Sequence, residues 1–342
     1  MGMSVVVQES DAGYIPLAED PLTPMRVFGL KVSKLESLSP HFRRITFTGP
    51  SLDYFGTGPH GGTLDLRIKV LIPSPGHPLP PLRHVRGSLQ QDWYQRWRAQ
   101  DESMRGVMRT YTVRALRPAV AGSSEHSAGS RVSSPAPVEL DIDFVLHLDG
   151  ATGSSGPAAQ WAAAAQLGDE LTLIGPCARS GDCTGIEFSP GNADRVLLVG
   201  DETAVPAIAA ILETLPPHVA GHAVLEVPSS ADFLDISTRA NVEVRWHARN
   251  GQTHGELMDR DVRTVIVPAA CQRGQEPEDV NVDEAILWET PEATPGHGLY
   301  AWIAGEAAAI RTLRRYLVAE VGMDREAVAF MGYWRQGKAL PQ

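Results

Sequence analysis

Met108-Arg109-Thr110-Tyr111-Thr112-Val113-Arg114 brings cations, an aromatic ring and two small hydroxyls together in one short stretch. Read as a strand, it puts Arg109, Tyr111 and Val113 on one face and Thr110, Thr112 and Arg114 on the other. A guanidinium in that setting pairs with a diphosphate and the ring lies against a planar heterocycle. A hydroxyl or backbone N–H then reaches the heterocycle's edge, so the stretch suits a flavin dinucleotide. The same residues also read as an ordinary barrel strand with a polar outer face.

Gly153-Ser154-Ser155-Gly156-Pro157-Ala158-Ala159-Gln160-Trp161 is a second candidate. A serine near the N-cap, proline in the first turn and an alanine run predict a short helix whose open N-terminus binds phosphate. The alternative is a tight linker. A third candidate is the buried run Val196-Leu197-Leu198-Val199, followed by Gly200-Asp201-Glu202 and a helix over about 203–215. Open parallel sheets bind nucleotides at such strand ends. No G-x-G-x-x-G is present, so position alone supports a nicotinamide site. Thr203 either caps the helix or faces a nicotinamide. Glu226, closing the next strand, is placed to accept ribose hydroxyls, which leans toward NADH over NADPH. Arg67 and Lys69 share a strand face, and Arg249 ends Trp246-His247-Ala248-Arg249; such cations attract an anionic substrate or form a solvated face.

Around these candidates the chain divides in two. Residues 1–24, with Pro16, Pro21 and Pro24, read as a leader or arm. Alternating patterns then predict strands over 44–49, 64–72 and 139–148, the last leaving His147 on its polar face. A short helix is expected near Asp92–Trp97, and the Ser/Ala/Gly/Pro-rich stretch 118–137 reads as a flexible insertion. This half, 25–190, is expected to be an antiparallel barrel. From Arg195 onward buried strands are expected at 196–199, 223–227, 242–246, 262–267, 300–304 and 327–334, with a second helix over about 306–321. The half 193–342 is therefore read as a parallel α/β domain.

Composition narrows the function classes. With 43% hydrophobic and 21% charged residues the chain is an ordinary globular protein, and at 342 residues it has room for two cores. A net charge of −11 argues against general nucleic-acid binding. Cys177, Cys183 and Cys271 lack the spacing of an iron–sulfur centre. No apolar run reaches membrane-spanning length, so a cytoplasmic protein is expected.

These segments resemble the siderophore-interacting protein family, flavin-dependent ferric-siderophore reductases of the ferredoxin-reductase-like superfamily. The resemblance rests on Arg109 to Arg114, Gly156-Pro157-Ala158 with Trp161, 199–208 including Asp201 and Thr203, Trp302 to Ala307, and Gly332 to Gly337 with Tyr333-Trp334. It implies a Greek-key FAD-binding barrel followed by an α/β domain that admits NADH or NADPH. Arg109, Thr110, Tyr111 and Thr112 are expected to hold the isoalloxazine and phosphate parts of FAD. His147 and Gly156-Pro157-Ala158 are assigned to the ribityl and diphosphate region, Thr203 lies near the flavin, and Tyr333-Trp334 returns toward it. Thr112 and Thr203 are the residues expected nearest the chemistry. Arg67, Lys69 and Arg249 are the expected substrate-binding cations. The arginine that the family often carries directly after Gly-Pro stands two positions later here, at Arg179. The implied activity is electron transfer from NAD(P)H through FAD to Fe(III) of a siderophore, releasing Fe(II) without a resident metal. Ferredoxin is an alternative donor; a reductase serving a protein acceptor and a siderophore binder without turnover are the alternative functions.

Overall fold

The structure, a computed structural model, describes residues 24–58, 61–74, 92–118, 138–146, 156–181, 183–268, 287–291 and 298–337, with isolated positions between 76 and 89. His147, Cys271, the leader and residues 119–137 of the expected insertion lie outside the described residues.

The first half builds an antiparallel sheet from β1 (Met25–Ser37), β2 (Phe42–Thr48), β3 (Arg67–Ile72), β4 (His84–Val85), β5 (Ser88–Leu89), β6 (Val107–Thr112), β7 (Ala115–Pro118), β8 (Val138–Val145) and β9 (Glu170–Pro176). The strand order is β6-β3-β9-β1-β2-β8-β7. β6 and β7 stand at opposite ends of that order, yet only Val113 and Arg114 separate them in the chain. Val113 N donates to Leu66 O (2.9 Å) and Arg114 N to Asp141 O (2.9 Å), so the chain stitches both edges together and the sheet curls into the expected barrel. Phe28, Ile45, Phe47, Ile68, Val70, Leu140, Ile142 and Phe144 alternate inward and fill it. Two short helices, α1 (Trp93–Arg98) and α2 (Glu102–Arg105), cover one flank, and α3 (Pro157–Ala164) packs on the barrel.

The 64–72 strand is shorter than expected. Leu64 takes a positive φ of 48°, Leu66 N closes a turn onto Thr63 O, and the strand begins only at Arg67. β1, which carries no expectation from the sequence, pairs with both β2 and β9.

The second half is an α/β sheet of order β12-β11-β10-β14-β15-β13. Its strands are β10 (Arg195–Asp201), β11 (Ala220–Val227), β12 (Asn241–Ala248), β13 (Trp288–Glu289), β14 (Leu299–Glu306) and β15 (Val328–Trp334). All pairs are parallel except the short β13, which runs antiparallel to β15. The helices are α4 (Val205–Thr214), α5 (Glu256–Val265) and α6 (Ala307–Arg315), α6 continuing into a wider turn over Tyr316–Glu320. Residues 262–267, expected as a strand, instead lie largely within α5. That helix is amphipathic, with Leu257, Met258 and Val262 buried. A tertiary contact, Glu226 at its first turn, supplies the start signal that the local sequence lacks.

Between the halves, Phe42 and Val145 of the barrel join one apolar cluster with Val205, Ile208 and Trp302 of the second half, and buried polar contacts add to it. Asp65, wholly buried, accepts from Trp302 Nε1 (2.9 Å) and from the backbone N–H groups of Glu187 and Phe188. Arg114 forms a bidentate pair with Glu213 of α4. Asp232 accepts from Ser39 Oγ (2.7 Å) and His41 N (3.1 Å), and His41 Nδ1 lies 2.8 Å from its other oxygen.

Candidate functional site

β6 pairs with β3 so that Lys69 faces Thr110, Val70 faces Arg109 and Arg67 faces Thr112. On one face Lys69 Nζ donates to Thr110 Oγ1 (2.7 Å). Partial burial, then the neighbouring Arg67 charge, pull the Lys69 ammonium below its ordinary range. On the other face Tyr111 packs against Phe144, ring centroids 4.5 Å apart, and burial pushes its hydroxyl up. Phe144 touches Trp161 of α3 (5.7 Å), which stacks on Phe47 (6.4 Å, 11°). This aromatic chain, with the small buried face Ala158, Ala159 and Ala162, fixes α3 to the barrel beside β6.

The two ends of α3 are treated differently. Arg43 of β2 donates to the carbonyls of Ala162 (2.6 Å), Ala163 (2.5 Å) and Ala165 (3.3 Å), closing the C-terminus with a cation. At the other end Gly156 is the N-cap without a side-chain hydrogen bond, and Pro157 opens the first turn. Arg109 is half-buried, and its guanidinium donates only to the Met108 carbonyl (2.8 Å); no carboxylate pairs with it among the described residues. Burial accordingly pulls it below its ordinary value. A desolvated cation without a counter-charge among the described residues, on a strand that packs against α3, fits an anionic group.

A cleft of about 1060 Å³ runs along α3, lined on its other side by Trp97, Arg98, Arg105 and Val107. Trp97, Arg98 and Arg105 were not singled out as site residues by sequence, because α1 and α2 carry no motif.

The C-terminal rim of the parallel sheet behaves in the opposite way. Strand order turns at β10, with β11 on one side and β14 on the other, which is where such sheets bind ligands. Asp201 stands there, 1% exposed. One oxygen accepts from Thr203 N (2.9 Å) and Thr203 Oγ1 (2.5 Å). The other accepts from Glu306 N (2.8 Å) and Trp334 Nε1 (2.7 Å). Gly305 passes so close that a Cβ would meet the Asp201 carboxylate at 2.7 Å. Burial and the adjacent Glu202 charge raise Asp201 to about 7 against the opposing effect of its hydrogen bonds. Asp201 therefore ties three strand ends together and has no lone pair left to offer a cofactor. Thr203 does not cap α4; its hydroxyl is committed to Asp201, and Ala204 is the N-cap.

Two further assignments are corrected. Glu226 is wholly buried and accepts from Gly255 N (2.8 Å) and Met258 N (3.0 Å), so it caps α5 and does not meet a ribose; the lean toward NADH loses its basis. Arg249, 5% exposed, makes a bidentate pair with Glu202 (2.7 and 2.8 Å) and reaches Glu226 at 3.5 Å. It is a buried counter-ion and not a substrate residue. Arg67 is likewise engaged: it pairs with Glu187, and its guanidinium lies 4.2 Å over the Trp288 ring. Of the three expected substrate cations only Lys69 is left exposed.

Tyr333 stacks on Trp288 (5.9 Å, 13°) and meets Trp302 edge-on (6.2 Å), with its hydroxyl buried and unpartnered. Trp334 meets His254 edge-on at 5.0 Å. Arg179 has a buried Nη1 without a partner. Sequence reading also missed Asp65 and Arg43. Gly61-Gly62-Thr63 signalled the turn that buries Asp65, whereas nothing local marks Arg43 as a helix cap.

A curled antiparallel barrel followed by a parallel α/β sheet defines a two-domain protein of ferredoxin-reductase-like fold. The ferredoxin reductase of carbazole 1,9a-dioxygenase shares that fold alone (14% identity, TM-score 0.51, 92% of this chain and 71% of that one). The chain belongs to the siderophore-interacting protein family: residues 31–180 match the siderophore-interacting FAD-binding domain and 193–337 the siderophore-interacting protein domain. The siderophore-interacting protein SipS of Aeromonas hydrophila is 30% identical, with a TM-score of 0.58 over 92% of this chain and 93% of that one. The ferric vibriobactin reductase ViuB of Vibrio cholerae is 29% identical over 88% of this chain and 86% of its own. An uncharacterized protein of Mycobacterium tuberculosis is 37% identical over 58% of this chain, a match that spans 61% of the relative's length.

The residues present fit FAD. Arg109 and the α3 N-terminus would offer a cation and N–H groups to its diphosphate, and Tyr111 lies on the same strand face two residues on.

Proposed function

We propose that this protein is a flavin-dependent reductase that carries electrons from NADH or NADPH through FAD to the Fe(III) of a ferric siderophore, releasing Fe(II). The observation that carries the reading is the half-buried Arg109, which has no carboxylate partner among the described residues and stands on a strand that packs against α3 with its uncapped N-terminus, in a domain that matches the family's FAD-binding domain. The naming of ViuB as a ferric vibriobactin reductase supports the substrate class. FAD, when bound, accepts two electrons from a nicotinamide and releases them one at a time.

In this reading the chain's own residues bind and orient. Arg109 and the first turn of α3 hold the diphosphate. Thr112, buried on β6 opposite Arg67, and Thr203, pinned by Asp201, flank the path between the two halves. Lys69, held toward Thr110 and without a carboxylate partner among the described residues, offsets the negative charge of an incoming chelate. Hard oxygen ligands hold ferric iron far more tightly than ferrous, so reduction is itself the release step. The division near residue 190 separates the flavin half from the donor half. A nicotinamide donor is a cytoplasmic metabolite, which makes the cytoplasm the proposed compartment; among the described residues no helix is long and apolar enough to cross a membrane.

The test is the visible spectrum of the purified protein under argon, before and after NADH or NADPH, then with a ferric triscatecholate and a ferrous-specific chelator. Flavin bands that bleach with one donor and recover as the ferrous complex forms support the reductase. Flavin that stays oxidised with both donors but bleaches with reduced ferredoxin moves the donor to that protein. Chelate binding without any Fe(II) makes the protein a binder.

A further inference from the structure

We propose that the free edge of β12 pairs with β12 of a second copy of this chain, antiparallel about a twofold axis at Val244, so that the two parallel sheets join into one. The proposal goes beyond the reductase reading and does not depend on it.

β12 is the outermost strand of its sheet, and among the described residues no strand pairs with its outer edge. Its parallel ladder with β11 is unbroken from Asn241 to Ala248. Asn241 N donates to Val219 O (2.8 Å) and Arg249 N to Val227 O (2.9 Å), so the odd-numbered residues spend their backbone groups on β11. The N–H and C=O groups of Val242, Val244 and Trp246 therefore point away from the sheet. Such edges are commonly blunted by Lys, Pro or a bulge, and β12 carries none of the three. The segment leading into it adds to the exposure. A parallel crossover usually lays a helix over the sheet, whereas 228–240 holds only a 3-10 turn at Ser230–Asp232. Phe233, just after that turn, stays 42% exposed and stacks on Trp246 (5.5 Å, 24°).

The order of residues along β12 is complementary to itself. Antiparallel pairing about Val244 sets Val244 against Val244, Val242 against Trp246 and Glu243 against Arg245 of the second copy, the last two contacts each made twice by symmetry. The apolar contacts fall on the face that Phe233, Leu234 and Ile236 cover, and the charges fall on the other. Val242, Val244 and Trp246 then occupy the hydrogen-bonded positions and make about six backbone bonds. Glu243 and Arg245 occupy the closer, non-hydrogen-bonded positions, where cross-strand side chains interact most. The nearest register on either side that keeps the hydrogen bonds sets Glu243 against Glu243 or Arg245 against Arg245, so charge selects the register. Within one chain Arg245 reaches Glu243 and Asp261 at 3.0 Å each. The side chains of Glu243 and Arg245 nonetheless keep 57% and 31% exposure, which leaves both able to add the contact across the edge. Because the two strands run in opposite directions, the C-terminal rims of the two sheets face opposite ways and each copy keeps its own site.

The test is the mass of the full-length chain by sedimentation over a range of concentrations. It is run on the unmodified protein, on Glu243→Arg, on Arg245→Glu and on an equal mixture of those two variants. The unmodified protein should pass from monomer to dimer as concentration rises. Each variant alone sets like charges against each other at both cross-edge positions and should weaken dimerisation at least about tenfold. The mixture should restore it, because the two cations of one variant then face the two carboxylates of the other. Val244→Pro removes an outward N–H without touching the ladder to β11, and should also abolish the dimer. Unchanged far-ultraviolet circular dichroism identifies the variants that remain folded. A chain that stays monomeric at every concentration leaves the edge to a different partner and overturns the proposal. A dimer that no folded variant weakens, or a mixture of the two folded charge variants that stays monomeric, overturns it as well.

Discussion

The two ligand-facing regions of this molecule, the barrel face around α3 and the rim of the parallel sheet, are built on opposite electrostatic plans. The barrel side leaves its groups unspent: among the described residues α3 has no side-chain N-cap, Arg109 has no carboxylate and Arg105 keeps a buried N–H free. The charged groups of the rim are already satisfied, although the Tyr333 hydroxyl and His254 Nδ1 there are buried without partners among the described residues. Glu226 caps α5, Glu306 caps α6 through Ala308 N (2.7 Å) and Ala309 N (3.0 Å), Asp201 is saturated and Arg249 is neutralised by Glu202. A site that holds unmet charge in the free protein binds its ligand tightly, since binding completes it. A site that is complete by itself gains less from an occupant. The contrast matches a resident flavin on the barrel and a nicotinamide that visits the rim and leaves.

The strongest way to break this comparison is to remove a charge from each side. Arg249→Ala strips the buried Glu202 of its bidentate counter-ion, and should cost about 3–5 kcal/mol of stability, a large share of what a domain has. The midpoint of denaturant unfolding reads it. A stable Arg249→Ala protein with a raised apparent constant for ferric chelate would instead return Arg249 to the substrate site. Arg109→Ala should show the reverse pattern. Stability of the flavin-free protein should stay within about 0.5 kcal/mol, because no ion pair is lost. Flavin affinity should fall about tenfold or more, as expected for a charge-assisted contact. Equal losses in both measurements would mean that Arg109 supports the barrel and not a ligand.

What the sequence showed follows the same division. Barrel strands announce themselves by alternation, as in Leu140, Ile142 and Phe144, and the unpaired cation of β6 lies in a recognisable string. The rim was misread because its acidic and basic residues pair across long sequence distances. Glu226 finds the start of α5 and Arg249 finds Glu202, and neither partnership leaves a mark in local spacing. The run at 262–267 looked like a strand for a related reason, since the cap that makes it part of a helix comes from another strand. Arg105 lay in a segment without periodicity, so only the folded arrangement set it against Trp97.

Asp201 offers a finer test of the rim. Its folded pKa, near 7, lies above the ordinary carboxylate value of 3.8. Between those two values the folded protein holds a proton that the unfolded chain has lost. This group's contribution to stability is therefore fully present below about pH 4, declines as pH rises, and is gone above about 7. Asp201→Asn should flatten the difference in urea midpoint between pH 5 and pH 8 relative to the unmodified protein. It should also shift Trp334 fluorescence, because an amide cannot accept from Thr203, Glu306 and Trp334 together. An unchanged pH slope would show that Asp201 is ionised throughout and that the rim is sealed by its hydrogen bonds alone.

The smallest expected effect concerns Lys69, whose exposed ammonium is the only one of the three candidate substrate cations without a carboxylate partner among the described residues. Lys69→Glu reverses a charge at a solvent-facing position, so stability should move by less than about 0.5 kcal/mol and flavin content should hold. The apparent constant for a ferric triscatecholate should rise severalfold, and the rise should shrink with added salt, because the interaction is long-range and screened. The nicotinamide constant provides the control. If it rises along with the chelate constant, the reversed charge is acting on the whole field of the protein and Lys69 is not specific to the substrate. If only the chelate constant moves, the unspent charge of the barrel extends from the flavin cradle to the outer face of β3, while Arg67 two residues away stays committed to Glu187 and Trp288.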